Sequence, residues 1–380
     1  MPMTVEGIPV HIVGAGPGGL ATAAALHERG ISTVVLEKSG SVGASWRAHY
    51  DRLRMHTTRR GSQLPGLPIP RSAGRWVGRD DFVRYLESYA EHHGIEVATG
   101  VEVDRIERGD EQWLLHANGG RRLASPAVVV ATGRHRVPHL PPWPGLDCYD
   151  GELLHSADYR RADAYTGKDV LVAGAGAAGT EIAAELAAAG AARVRIAVRT
   201  PPHLVRRSTL GCSAQACAVL SRRLPARLLD GPAGLLARAT VPDLTEYGLP
   251  RPRTGLCTRA RADSGPVPDS GFARAVRKGL VEPVAAVEAL DGGKVLLADG
   301  RLIDPDTVIA ATGYRSELDG LVGHLGLLDE AGTPPRLGRR AQRDAPGLYF
   351  AGFTSPVGGS LRQLGLDARR IARAVARANR

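Results

Sequence analysis

The sequence predicts an α/β fold of two Rossmann-like, parallel-sheet domains, the second inserted into the first. Three observations carry this. A strand, a Gly-x-Gly-x-x-Gly turn and an Ala-rich helix follow one another at residues 9–30 and again at 169–190. An apolar strand ending in Ala-Thr-Gly follows each pair far downstream, at 131–133 and 311–313. The 380 residues also exceed what one ordinary core organises, so length alone points to two domains.

In PVHIVGAGPGGLATAAALHERG, the turn between strand 9–13 and the helix holds Gly14, Gly16, Pro17, Gly18 and Gly19. Gly14 permits the tight turn, Gly16 lets backbone N–H groups approach a pyrophosphate, and Gly19 lets helix pack on strand. The helix N-terminus offers its positive dipole to phosphate. The next strand, STVVLEK, reaches Glu37 and Lys38, with Glu37 standing 23 positions after Gly14. A carboxylate there can accept hydrogen bonds from both ribose hydroxyls. Strand, turn, helix and acid together specify a dinucleotide site, expected to take FAD or NAD.

The second unit, DVLVAGAGAAGTEIAAELAAAG, carries Gly174, Gly176, Ala177, Ala178, Gly179 and Thr180 in the corresponding turn. Its following strand ends in Arg199 where the first unit has Glu37. A carboxylate repels a 2′-phosphate, whereas a guanidinium pairs with it and can stack on adenine. The second site is therefore expected to take NADPH, although Arg199 also reads as a solvated strand end in an Arg-rich chain. Small residues at a strand end let backbone lie close against a cofactor or a crossing linker. On that ground Ala131, Thr132 and Gly133 go with the first site, Thr312 and Gly313 with the second.

Between these landmarks, DFVRYLESYAEHHG (81–94) has helical apolar spacing. IEVATGVEVDRIER and EQWLLHANGGRRL suggest an antiparallel meander turning at Asn118-Gly119. Near the end, APGLYFAGFTSPVGGS gives a strand (348–351), then Gly352 and a glycine turn. The last 20 residues form a helix with an apolar stripe and an Arg-rich outer face, expected to cap the first domain. The expected division is 1–155 with 300–380 for the first domain and 156–299 for the second. Within it, 203–270 is a helical excursion, containing ACAVLSRRL and ARLLDGPAGLLARA, expected to wall a substrate pocket.

Composition narrows the function classes. Net charge is +10, but only Lys38, Lys168, Lys278 and Lys294 of the 49 basic residues are Lys. The Arg are scattered and aromatics make up 4%, so anionic cofactors and substrates are expected partners and nucleic acid is not. With no run of about 18 apolar residues and no signal-peptide pattern, neither membrane nor export is expected. Cys148, Cys212, Cys217 and Cys257 form no CxxC pair, which argues against a metal site or a dithiol centre and fits a reducing cytoplasm. Abundant Arg, Ala and Gly suggest GC-rich bacterial coding.

Almost the whole chain resembles the flavin-containing monooxygenase family, closest to its bacterial and YUCCA-like branch. The carrying stretches are GASWRAHYDRLRMHTTRRGSQLPGLPIP (43–70), TEYGLPRPRTG (245–255), TVIAATGYRSELDG (307–320) and GLYFAGFTSPVGGS. The sharpest is YDGELLHSADYR (149–160), similar to the family fingerprint FxGxxxHxxx(Y/F), with Tyr149 in place of Phe. Gly151, His155 and Tyr159 occupy its other positions, and Tyr159-Arg160 departs from the Trp-ending Baeyer–Villiger pattern.

The resemblance implies FAD reduced by NADPH, then O2 adding to give a C4a-(hydro)peroxyflavin that oxygenates a small-molecule substrate. N- or S-oxygenation and YUCCA-like oxidative decarboxylation of a 2-oxo acid both fit. By the same resemblance Trp46, Arg47, His56, Thr57, Ala131 to Gly133 and Gly352 to Gly359 lie near the flavin. His56 would sit near its reactive edge, or equally be a half-buried His bonding loop backbone. His155 would position the linker into the second domain. The rival reading is a reductase passing electrons to a ferredoxin, disulfide or quinone; the disulfide kind needs paired Cys, and none requires the 149–159 fingerprint. A non-catalytic flavoprotein is disfavoured by intact glycines in both motifs. Specialised metabolism is the expected setting, and the oligomeric state stays open, a homodimer included.

Overall fold

The computed structural model describes residues 7–209, 212–213, 225–261, 265–335, 344–354 and 359–378. Five parallel strands form the first sheet in the order Leu348–Phe350, Val128–Val130, Val10–Val13, Thr33–Glu37 and Val97–Thr99. Ile12 sits in register between Val35 and Val129. The central strands read VHIV, TVVLE and VVV because they are covered on both faces and need apolar side chains on both.

One face is covered by the helices Pro17–His27, Arg79–His92 and Ser360–Ala378. The last buries Leu361, Ala368, Ile371, Ala372 and Val375 and turns its Arg outward. Each such fully buried Ile or Leu stabilises the fold by about 1.5–3 kcal/mol. The opposite face is covered by an antiparallel meander, Val103–Arg108, Trp113–Ala117 and Arg121–Ser125, turning through Asn118–Gly120. Val97–Thr99 departs from expectation. It pairs parallel with Thr33–Glu37 at the edge of the main sheet and does not join the meander. A strand that leaves a crossover helix returns parallel to the strand before it.

The second sheet repeats the plan, in the order Glu282–Ala285, Arg193–Val198, Asp169–Ala173, Thr307–Ala310 and Glu152–His155. The helices Ala177–Ala188 and Phe272–Arg277 cover one face. An antiparallel set, Val287–Asp291, Lys294–Leu297 and Leu302–Ile303, covers the other. Sheet pairing thus extends the second unit on both sides of 156–299, taking in Glu152–His155 and Thr307–Ala310.

Two crossings join the units. The chain leaves the first sheet after Val128–Val130 and comes back after Thr307–Ala310. The crossings are hydrogen-bonded to each other where Val137–Pro138 pairs antiparallel with Tyr314–Arg315. Within 203–270, Leu204–Arg206 pairs with Val267–Asp269 and a helix spans Ala226–Thr240 with Pro232 inside it. ACAVLSRRL (216–224) and residues 355–358 of the glycine turn lie outside the described residues. No helix among the described residues is long and apolar enough to cross a membrane.

Candidate functional site

Both glycine turns have the geometry that a dinucleotide requires. Gly14 has φ +110° and Gly174 φ +119°, a left-handed backbone that other residues adopt at a cost. A Cβ on Gly14 would lie 2.7 Å from the Ala131 carbonyl oxygen, and one on Gly174 2.5 Å from that of Ala311. The Ala-Thr-Gly ends therefore pack directly beside the glycine turns in both units. At the third glycine the approach is closer still: Cβ atoms on Gly19 and Gly179 would fall 2.0 and 1.9 Å from the carbonyl oxygens of Gly14 and Gly174.

Gly16 and Gly176, the N-caps of the two glycine helices, differ: nothing lies within 4 Å of the place a Cβ would take. Open space thus faces the first-turn N–H groups of Gly18 and Gly19, behind Pro17, and of Ala177, Ala178 and Gly179, which have no partner within their own helices. In the first unit the Thr132 hydroxyl is buried without a hydrogen-bond partner, and Gly133 turns with φ +82° into open space. An orphaned buried donor beside an open, donor-rich turn fits a phosphate-bearing ligand. Thr180 caps back onto the Gly176 carbonyl at 3.0 Å.

Glu37 accepts the N–H groups of Ala15 (2.8 Å) and Ser39 (2.9 Å), one on each carboxylate oxygen. Each oxygen keeps a lone pair for a ribose hydroxyl. Lys38 beside it is exposed. Arg199, exposed just past the Arg193–Val198 strand, has no ion pair among the described residues. Its charge, after burial and the charge of Arg315, holds the His139 imidazole below the usual range. Thr312 donates to the His139 carbonyl, and the His139 N–H donates back to Gly313 at 3.0 Å.

The residues expected near the flavin divide. Gly43 bonds the Ala15 carbonyl at 3.1 Å, which docks the 43–57 segment onto the first glycine turn. Trp46 packs edge-on against Phe82, with centroids 4.7 Å apart. Arg47 is committed to a half-exposed pair with Glu87 at 2.6 Å. Thr57 bonds Ser62 at 2.6 Å. Gly352, φ +90°, sits where a Cβ would meet Leu364 of the C-terminal helix at 3.0 Å. His56 reaches across the junction, its Nε2 3.1 Å from Glu181 on the second glycine helix.

His155 ends the outer strand of the second sheet and is 5% exposed. The backbone N–H of Ala157 donates to its Nδ1 at 3.0 Å, so the ring proton lies on Nε2, which donates to the Gly313 carbonyl at 3.0 Å. Burial, partly offset by that bond and by Asp158, keeps the imidazole below its usual value and neutral. Its ring also meets Tyr314 edge-on at 5.1 Å. Gly151 leaves room for the Tyr149 ring. A Cβ on Gly151 would lie 2.5 Å from the Tyr149 hydroxyl oxygen. Tyr159, fully buried, stacks on Tyr165 at 5.8 Å.

Three residues in this junction were not singled out from sequence: Tyr50, Glu181 and Arg207. The one available signal was Glu181, an acid set two positions after Gly179 in an otherwise Ala-rich helix.

A family model described as pyridine nucleotide-disulphide oxidoreductase matches residues 11–216. The indole-3-pyruvate monooxygenase YUCCA1 of Oryza sativa subsp. japonica is 34% identical over 349 residues, spanning 90% of this chain and 86% of that protein. Among solved structures, a flavin-containing monooxygenase from Stenotrophomonas maltophilia superposes with a TM-score of 0.74 at 22% identity, over 98% of this chain and 99% of that one. A bacillithiol disulfide reductase from Staphylococcus aureus reaches 0.72 at 16% identity, over 98% and 99%. At such identities the two structures establish a shared fold and no more.

Proposed function

The chain belongs to the flavin-dependent monooxygenase family and uses FAD and NADPH, and from that premise we propose that it oxidatively decarboxylates a 2-oxo acid with an aromatic side chain. The observation that carries the proposal is the likeness to indole-3-pyruvate monooxygenases at 34% identity over 90% of the chain. The reaction balances as 2-oxo acid, O2, NADPH and a proton giving CO2, water, NADP and the acid one carbon shorter. N- or S-oxygenation is the second reading, supported by the Tyr159-Arg160 ending of the junction fingerprint.

FAD, when bound and reduced by NADPH, supplies the oxygen-activating chemistry. The residues of this chain then do four things. Gly16, Gly18 and Gly19 with Glu37 hold the FAD pyrophosphate and ribose in the first unit, with Thr132 and Gly133 beside them. Gly176 to Thr180 hold NADPH in the second, with Arg199 pairing its 2′-phosphate. His155, through Gly313, holds the Ala-Thr-Gly end in register with the second glycine turn. His56 and the 43–57 segment close the first site from the junction side and help keep water out, which matters because activated oxygen otherwise escapes as peroxide.

A reductase sharing this fold is the alternative. Its dithiol kind needs paired Cys, and Cys148, Cys212, Cys217 and Cys257 form no CxxC pair in the sequence. A bacterial, cytoplasmic setting in specialised metabolism completes the proposal, the first resting on the Arg-rich, Lys-poor composition and the second on four Cys with no CxxC pair.

The test is a panel of 2-oxo acids, amines and sulfides with the FAD-loaded chain. NADPH consumption is compared with product and peroxide. Stoichiometric product from an aromatic 2-oxo acid such as indole-3-pyruvate supports the proposal. Coupled product from amines or sulfides alone favours the second reading, and reduction of quinone or disulfide with no oxygenated product sinks both.

A further inference from the structure

Glu181 lies at the point where three segments meet. It sits on the Ala177–Ala188 helix, whose N-terminus forms the second nucleotide turn, and its side chain is 9% exposed. One carboxylate oxygen accepts the Tyr50 hydroxyl at 2.6 Å. The other accepts Arg207 Nη2 at 2.7 Å and faces His56 Nε2 at 3.1 Å. Tyr50 and His56 belong to the first-unit segment 43–57 that docks on the Gly14–Gly19 turn, and they lie 131 and 125 residues from Glu181.

The partners are themselves fixed. Tyr50, 5% exposed, packs edge-on against Tyr159 of the junction fingerprint at 6.1 Å. Arg207 lies 5.9 Å above the Trp76 ring. Next to them Arg160 donates to the Ala48 carbonyl, and the Asp51 N–H donates to the Arg160 carbonyl at 3.0 Å. Burial pushes the Glu181 carboxyl up, but the bonds from His56 and Tyr50 and the charge of Arg207 outweigh it and hold the group below the usual carboxylate range. A buried carboxylate with three donors is not the cheapest way to fill that space, because desolvation consumes most of what the pairs return. What the arrangement provides is direction: three donors from two segments converge on one rigid acceptor pair.

We propose that Glu181 is a positioning residue that sets the angle between the two nucleotide units, by holding Tyr50 and His56 of the first and Arg207 of the second on one carboxylate. It rests on the reading that both glycine turns hold nucleotides. Hydride transfer between two separately bound cofactors depends steeply on their mutual placement, so a small error in this angle costs rate more than binding.

The experiment compares the FAD-loaded wild type with Glu181→Gln and Tyr50→Phe. The amide of Gln places an N–H donor among donors, while Phe removes a single hydroxyl. Two quantities are read: amide hydrogen exchange across the chain, and the anaerobic rate of flavin bleaching as a function of NADPH concentration. Glu181→Gln should speed exchange at residues 50–57 by about tenfold or more while Val10–Val13 stays protected. Its limiting bleaching rate should fall at least about tenfold with the NADPH dissociation constant within about threefold. Tyr50→Phe should move both in the same direction by less, and it carries the test if Glu181→Gln does not fold. Unchanged exchange at 50–57, or an equal rise throughout both sheets, overturns the positioning role. A wild type that NADPH cannot bleach sinks the functional reading instead, and the exchange pattern still decides on the tie between the units.

Discussion

The His155 imidazole donates from Nε2 to the carbonyl of Gly313 at 3.0 Å, across 158 residues of sequence. With the Ala157 N–H bound at Nδ1, both ring nitrogens are used, and only the neutral ring can use them this way. Its folded value lies below that of a free imidazole, so as pH falls the unfolded chain takes up the proton first. The stability it contributes should be whole above about pH 6.5 and lost as pH drops through the folded value. Urea unfolding at pH 8 and pH 5 checks this: His155→Ala should cost about 1–3 kcal/mol at pH 8 and less at pH 5.

Gly16 and Gly19 should respond oppositely to the same substitution. A Cβ on Gly19 would strike the Gly14 carbonyl at 2.0 Å, so Gly19→Ala should destabilise the apoprotein itself by about 2 kcal/mol or more. Gly16 has open space beyond it, so Gly16→Ala should leave the apoprotein melting within about 2 °C of wild type while losing most of its flavin. Flavin absorbance per chain, set beside apoprotein melting, separates the two.

Arg199→Ala should raise the KM for NADPH by about 10- to 100-fold and leave that for NADH within about threefold, the effect of losing one charge-assisted contact to phosphate. Steady-state kinetics with both cofactors decides it, and equal losses would remove Arg199 from the 2′-phosphate site.

Arg195 is buried at the foot of the second sheet, bonded to Asp169 at 2.8 Å with Glu282 at 3.8 Å. Asp169→Ala should cost about 3 kcal/mol, because it leaves the buried guanidinium with the longer Glu282 contact in place of the short one, whereas Arg195→Met should cost about 1 kcal/mol or less. Chemical denaturation of both variants is sufficient.

Much of this architecture was legible in the chain, for local reasons. Gly14 and Gly174 have positive φ, and each turn's first and third glycines touch within five residues of sequence, so the motif carries its own geometry. The covered strands announce themselves as apolar runs. Other features depend on partners the sequence does not mark. Arg47 reads like its many neighbours, and its bond to Glu87 appears only in the folded chain. Val97–Thr99 looked like meander because three residues are too few to distinguish a sheet edge from a hairpin arm. Tyr50, His56 and Arg207 belong with Glu181 because two units fold against each other, which no window along the chain contains.

The pairing of Val137–Pro138 with Tyr314–Arg315 also bears on how such a chain could have arisen. The polypeptide enters and leaves the second unit at neighbouring points, so that unit is topologically a cassette whose ends already touch. Splicing it into a parent fold demands almost no additional loop-closure entropy, since the parent's own chain resumes beside the place where it stopped. The same short ribbon carries the chain both ways between the two units, and Glu181 with Tyr50, His56 and Arg207 ties them at a second place.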